Sequence, residues 1–300
     1  MNYAVIDLGS NTIRLSIYSY DNGMFKLIIS QKEVVGLAGY VKKNHLALEG
    51  INNACDILKG FREIAIRFVK KKDIHLFATA SLRGIDNQQQ ACEIIERSCG
   101  LRPEVLSGEE EARLDFLGAS HCVECTNGIL IDIGGASTEF VWFQNAHPVE
   151  LVSIPIGCLS LYAKSVNTII PTKSERKKIK RQIRENFEEY LNWDIQEEVP
   201  LMIGVGGTVR AALKISCELF SLPNDNRQLH AEHVVAVLRK LIHSDDKIFH
   251  TLYKRVPERV LTIFTGMMIL NEAIKRFPCE NLVVSNYGVR EGYLIDRLLK

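Results

Sequence analysis

Two short stretches of the chain carry the same arrangement of reactive side chains. Residues 4–12 read Ala-Val-Ile-Asp-Leu-Gly-Ser-Asn-Thr, and residues 129–138 read Ile-Leu-Ile-Asp-Ile-Gly-Gly-Ala-Ser-Thr. Asp7 matches Asp132, Gly9 matches Gly134 and Thr12 matches Ser137, each pair 125 residues apart. Each unit is an apolar strand, an Asp, a glycine-bearing turn rich in hydroxyls, and a second strand. Backbone N–H groups in such a turn converge on an anion, glycine lets the anion approach closely, and Ser or Thr hydroxyls add donors. The candidates are Ser10, Asn11 and Thr12 in the first turn and Gly134, Gly135, Ala136, Ser137 and Thr138 in the second. Gly206-Gly207-Thr208 forms a third such turn. A strand-end carboxylate repels phosphate but suits hydrated Mg²⁺, which takes one or two carboxylates plus phosphate oxygens. One glycine turn only reverses a chain; three, two of them behind Asp7 and Asp132, point to phosphate binding.

Other charged groups leave alternatives open. Glu109, Glu110 and Glu111 open a helical pattern, where carboxylates also favour the positive end of the helix dipole. Arg113 either pairs with one of them or faces a ligand cleft, and Arg14 fits a solvated strand face as well as a phosphate contact. Lys173, Arg176, Lys177, Lys178, Lys180, Arg181 and Arg184 share one helix with Ile179, Ile183 and Phe187. That pattern suits a solvated face over a buried stripe; the functional alternative is a landing strip for a long polyanion.

The elements that must position these groups follow from periodicity. Buried and returning strands precede and follow the first turn, a third strand spans 24–32, and Asp21-Asn22-Gly23 is a hairpin turn. Helical spacing covers 48–70, 87–99 with Gly100 as its stop, and 109–120, with short strands at 73–78 and 103–106. In the second half, strands are expected at 128–132, 139–143, 149–154, 201–205 and 282–285. Helices are expected at 174–191, after Thr208, at 231–241, at 258–276 and from Val289 onward. Alternating strands and helices make the class α/β. The division is placed between residues 1–120 and 121–288, with residues 289–300 packing back on the first domain. Two similar hairpins facing one another would clamp a small anion between the domains.

Composition narrows the class. The 300 residues carry 37 Lys plus Arg against 36 Asp plus Glu, so the chain is no bulk nucleic-acid coat. Hydrophobic residues at 46% exclude intrinsic disorder. No apolar run reaches the ~18–20 residues of a membrane span, and the N-terminus lacks a signal-peptide pattern, so a cytoplasmic protein is expected. Eight cysteines then read as reduced core residues. Cys122 and Cys125 form a lone C-x-x-C without the second pair a structural zinc needs.

The motifs Asp-Leu-Gly-Ser-Asn-Thr-Ile-Arg-Leu (7–15), Ala-Thr-Ala-Ser-Leu-Arg (78–83), Ser-Gly-Glu-Glu-Glu-Ala-Arg-Leu (107–114), Asp-Ile-Gly-Gly-Ala-Ser-Thr-Glu-Phe (132–140), Gly-Val-Gly-Gly-Thr (204–208) and Gly-Val-Arg-Glu-Gly-Tyr-Leu (288–294) occur in that order. In order and spacing the chain resembles the exopolyphosphatase / guanosine pentaphosphate phosphohydrolase (Ppx/GppA) family, in its short two-domain form. The resemblance implies two actin-like (ASKHA, ribonuclease H-like) domains with an interdomain cleft. It also implies that Glu111 is the base that activates water, that Asp132 and Glu139 serve a metal and position water, and that Arg83 contacts phosphate; the strand-end Asp7 is a further candidate metal carboxylate beside Asp132. Two departures stand out: Ala136 replaces the third glycine of the family turn, and Ala-Thr-Ala-Ser exchanges the hydroxyl between Ala80 and Ser81.

These readings converge on a Mg²⁺-dependent hydrolase releasing terminal phosphate from inorganic polyphosphate, with the 5′ phosphate of guanosine pentaphosphate as alternative substrate. A kinase on the same fold has no use for a water-activating Glu111. A non-catalytic sensor of a phosphorylated nucleotide stays open through Ala136. No nucleic-acid or membrane partner is expected, and a homodimer is left open.

Overall fold

The computed structural model describes residues 1–193, 195, 199–223, 225–243 and 245–299. The chain forms two compact units, Met1–Glu110 with Tyr293–Lys300, and Glu111–Gly292. Lys300, the last residue of the expected closing helix, lies outside the described residues. No helix among the described residues is long and apolar enough to cross a membrane.

The first unit opens with a meander of β1 (Asn2–Leu8), β2 (Thr12–Asp21) and β3 (Met24–Val34). Asn22 and Gly23 turn β2 into β3 with φ of 50° and 79°, the left-handed pair that a tight hairpin of matching twist requires. A small hairpin, β4 (Val41–Lys42) with β5 (His45–Leu46), leads into α1 (Leu48–Ala65). Then β6 (Ile74–Ala78) joins β1 in parallel, α2 (Gln88–Cys99) follows, and β7 (Glu104–Val105) joins β6. The sheet order is β3-β2-β1-β6-β7. Ile6, Leu8, Ile13, Leu15 and Ile17 bury one face against Ile51, Leu58 and Phe61 of α1 and Ile95 of α2.

The second unit takes in most of α3 (Gly108–Ser120) and builds a sheet from β8 (Gly128–Ile133), β9 (Thr138–Gln144) and β10 (His147–Ile154). Next come α4 (Cys158–Ser165), α5 (Lys173–Tyr190), β11 (Met202–Val205), α6 (Gly206–Leu219) and β12 (Gln228–His230). Helices α7 (Ala231–Ile242), α8 (Asp246–Arg255) and α9 (Ile263–Arg276) precede β13 (Asn281–Val284) and α10 (Val289–Tyr293). The order β10-β9-β8-β11-β13 repeats the first sheet, an antiparallel meander with two parallel strands beyond its first strand, and β12 caps the edge. This shared order is the ribonuclease H-like arrangement expected. β8 up to Asp132 and β11 throughout are apolar because both faces are covered. Ile129, Ile131 and Met202 face the helical core, while Leu130 and Ile203 pack on Ala112 and Phe116 of α3.

That packing explains where the units divide. The sequence places the division near residue 120, but α3 buries its apolar face on the second sheet, so the compact units part at Glu110 and Glu111. The C-terminal segment joins the first unit: Tyr293 stacks on Phe77 at 5.0 Å and donates its hydroxyl hydrogen to Glu104 at 2.6 Å. Five elements escaped the periodicity: β4, β5, α4, α8 and β12. The expected helix from 258 instead begins at Ile263, after a 3-10 turn at Pro257–Arg259.

Candidate functional site

The two matched hairpin turns have the same geometry. Gly9 N–H donates to Thr12 O at 3.1 Å, and Gly134 N–H donates to Ser137 O at 3.0 Å. A Cβ on Gly9 or Gly134 would press to 2.9 or 3.0 Å on that same carbonyl, so each closing bond needs its glycine. Asp7 sits opposite Arg14 across β1 and β2, and Asp132 sits opposite Glu139 across β8 and β9. In the second unit, α4 holds the turn from behind. Its Cys158, Leu159 and Ser160 amides donate to the Gly134 and Gly135 carbonyls. Ala136 lies outside the positive-φ residues, so its methyl is carried without backbone strain.

Around Asp132 the second unit gathers carboxylates from three elements. Glu111 and Asp115 lie one turn apart on α3 and therefore share a face. Both are buried, as is Glu139, while Asp132 is partly exposed. Asp115 is fully buried beside the Val289 backbone N–H and the Asp132 carboxyl, both within bonding reach. Burial, reinforced by Asp132, Glu111 and Glu139, pushes the Asp115 carboxyl well above the usual range. Burial also raises Asp132, against the opposing charges of Arg210, Arg259 and Arg290. Glu139 is fixed by a hydrogen bond donated from Ser153 Oγ at 2.7 Å.

Three arginines face this acidic group. Arg210 comes from the first turns of α6 and donates to Ser285 O at 3.2 Å; burial, and then Arg290, lower its pKa. Arg259, on the 3-10 turn before α9, reaches Thr208 Oγ1 at 3.5 Å. Its guanidinium fills the space a side chain at Gly207 would need. Gly206 has φ of 77°, and a methyl there would stand inside the Asp132 carboxylate. Arg290 opens α10, where Glu291 accepts from Gly288 N–H at 3.0 Å. Gly288 and Gly292 bring α10 against α3, since a Cβ on either would strike Asp115 or the Leu114 backbone.

The expected residues therefore fall into three groups. Glu111, Asp132, Glu139, Gly134, Gly135, Ala136, Ser137, Gly206 and Gly207 belong to the second unit, and Glu111, Asp132 and Glu139 share the acidic group with Asp115. Thr138 and Thr208 lie there too, but their hydroxyl hydrogens, expected to face an anion, are committed to Ile156 O at 2.7 Å and Ile133 O at 2.9 Å. Asp7, Ser10, Asn11, Thr12 and Arg83 belong to the first unit. There the Asn11 carbonyl accepts from Val35 and Gly36, and Arg83 donates to Leu106 O at 3.3 Å. Ser81 Oγ donates to Leu8 O, so the exchanged hydroxyl braces the end of β1. The sequence did not single out Asp115, Arg210 and Arg259, and gave Arg290 no role. The i, i+4 spacing of Glu111 and Asp115 was the available signal.

Asp132 and Glu139 form a two-carboxylate donor set of the kind Mg²⁺ accepts. Among the described residues no three His, Cys, Asp or Glu side chains group as a metal cage, so substrate oxygens and water would supply the remaining positions. All described cysteines are free thiols, with Cys122 exposed and Cys125 buried.

Comparison with known proteins agrees with this architecture. The chain is 30% identical over 310 residues to the guanosine-5′-triphosphate,3′-diphosphate pyrophosphatase of Pseudoalteromonas translucida (strain TAC 125), covering 99% of this chain and 59% of that relative. The chain thus spans well under two thirds of that protein. In fold it resembles an exopolyphosphatase from Cytophaga hutchinsonii, with a TM-score of 0.87, 22% identity and coverage of 98% and 97%. It also resembles the Ppx-GppA enzyme of Aquifex aeolicus, with a TM-score of 0.78, 24% identity and 99% coverage of both chains. The model of the Ppx/GppA phosphatase family matches residues 16–300, and the chain belongs to that family.

Proposed function

We propose that this chain hydrolyses phosphoric anhydrides and releases the terminal phosphate of inorganic polyphosphate. The observation that carries the reading is the meeting of buried Glu111 with Asp132 and Glu139, beside a glycine turn and three arginines. Phosphoryl transfer needs a placed nucleophile and compensation of charge on the phosphate oxygens, with little covalent work by the protein. Glu111 takes the proton of the attacking water. The Ser153 hydroxyl holds Glu139 in a single orientation, from which it positions that water. As the bond to the leaving phosphate breaks, negative charge grows on its oxygens, and Arg210, Arg259 and Arg290 stabilise it. Mg²⁺ held by Asp132 and Glu139 would supply further neutralisation of those oxygens.

Guanosine pentaphosphate is the second reading, favoured by the name of the 30% identical relative. The test is phosphate release from short and long polyphosphate, guanosine pentaphosphate and ATP, each with Mg²⁺ and with EDTA. Native protein should release phosphate only with the metal, and Glu111→Gln should lose at least about 100-fold. The substrate ranking then chooses between the two readings. Binding without release from any substrate would overturn the hydrolase in favour of a sensor.

A further inference from the structure

A second basic site lies along the sheet from the acidic group, on the other side of Arg210. Arg210, Lys214 and Cys217 recur at helical spacing on one face of α6, and this face walls a cavity of about 130 Å³. Arg227 and Asn226 enter from the segment before β12, Arg255 from the end of α8, and Asn286 from beyond β13. Four cations thus line one small cavity, and among the described residues no carboxylate lines it. Glu218 holds Arg255 at 2.6 Å and Lys254 at 2.6 Å from outside. Arg227 donates to Asn286 Oδ1 at 2.9 Å, which presents its guanidinium in a fixed pose. Lys214 is exposed and has no ion-pair partner among the described residues. A cavity of this composition fits oxygens carrying several negative charges.

Its position says which anion. Val205 pairs with Asp132, and the preceding residue, Gly204, pairs with Val284 at the cavity wall. The cavity and the acidic group are therefore two strands apart, about 10 Å at the usual strand spacing. Arg210 serves both, since its charge acts on Asp132 while its side chain lines the cavity. We propose that this cavity binds the distal phosphoryl groups of the substrate whose terminal phosphate is cut at Glu111 and Asp132. The proposal rests on the hydrolase reading and adds to it where the uncut part of the substrate lies.

The experiment compares native protein with Lys214→Gln/Arg227→Gln, two exposed side chains whose loss leaves the core intact. Lys247→Gln, on the outer side of α8, controls for lost positive charge. KM and kcat are measured for tripolyphosphate, long polyphosphate and guanosine pentaphosphate at several salt concentrations. The double variant should raise KM for a long substrate at least about tenfold relative to its KM for tripolyphosphate, with a shallower salt dependence. A rise with polyphosphate places the chain in the cavity; a rise confined to guanosine pentaphosphate places its 3′-diphosphate there. An unchanged KM ratio overturns the proposal. If native protein releases phosphate from nothing, the hydrolase reading fails by itself. Dissociation constants for long polyphosphate then decide the cavity: weaker binding by the double variant sustains it, and equal binding overturns it.

Discussion

Replacing Gly206 with alanine separates backbone strain from damage to the acidic group. Gly206 sits at φ 77°, and the left-handed conformation costs an L-residue about 1–2 kcal/mol. Gly23 sits at φ 79°, and a methyl added there would meet nothing within 4 Å, so Gly23→Ala measures that strain alone. At Gly206 the methyl would also overlap the Asp132 carboxylate, which must retreat by about an ångström. Misplacement on that scale costs a reaction roughly 100-fold. Urea denaturation followed by circular dichroism should therefore show a loss of about 1–2 kcal/mol for Gly23→Ala and at least as much for Gly206→Ala. Phosphate release should survive in the first and drop about 100-fold or more in the second. If Gly206→Ala turned over within a few-fold of native, Asp132 would not need its present position, and the reasoning would be refuted.

Two further outcomes concern stability. Tyr293→Ala removes a buried ring stacked on Phe77 and should cost the first unit about 3–5 kcal/mol, whereas Tyr293→Phe, losing only the bond to Glu104, should cost about 1 kcal/mol, both read by chemical denaturation. Burial works to raise the Glu272 carboxyl, but hydrogen bonds from Lys275 at 2.8 Å and Arg184 at 2.7 Å outweigh it and hold the group below the usual range. Its contribution is present above the ordinary glutamate pKa and is lost as pH falls through the lower folded value. Glu272→Gln should cost about 1–2 kcal/mol near neutrality, a modest figure because its partners are half exposed, and nothing in strong acid. A pH-independent difference would contradict the assignment.

How much was legible depended on how local the signal was. The hairpin turns at 9–12 and 134–137 could be read because an apolar run, Asp and glycine are contiguous, and the 125-residue match exposed the repeat. Arg210 and Arg259 could not, because they reach Asp132 only after α6 and the 3-10 turn at Pro257–Arg259 pack beside β8. Asp115 sat just beyond the Ser107–Leu114 motif, yet its burial depends on how α3 and α10 close together through Gly118, Gly288 and Gly292. The hydroxyls of Thr138 and Thr208 looked like ligand donors because sequence cannot show which carbonyl lies nearest. The same limit hid the link between Glu272 and the basic helix, where Arg184 and Lys180 are drawn to a carboxylate 88 and 92 residues away.

The repeated hairpin differs between its copies at one rung. In the first, Asp7 faces Arg14; in the second, Asp132 faces Glu139. The first rung sets opposite charges side by side and needs nothing from outside. The second sets like charges side by side, a repulsion that Arg210, Arg259 and Arg290 offset from other elements. A single change of sign at the matched position thus breaks the internal symmetry of the chain. One copy finds its counter-charge within the hairpin, and the other draws it from α6, α10 and the 3-10 turn before α9.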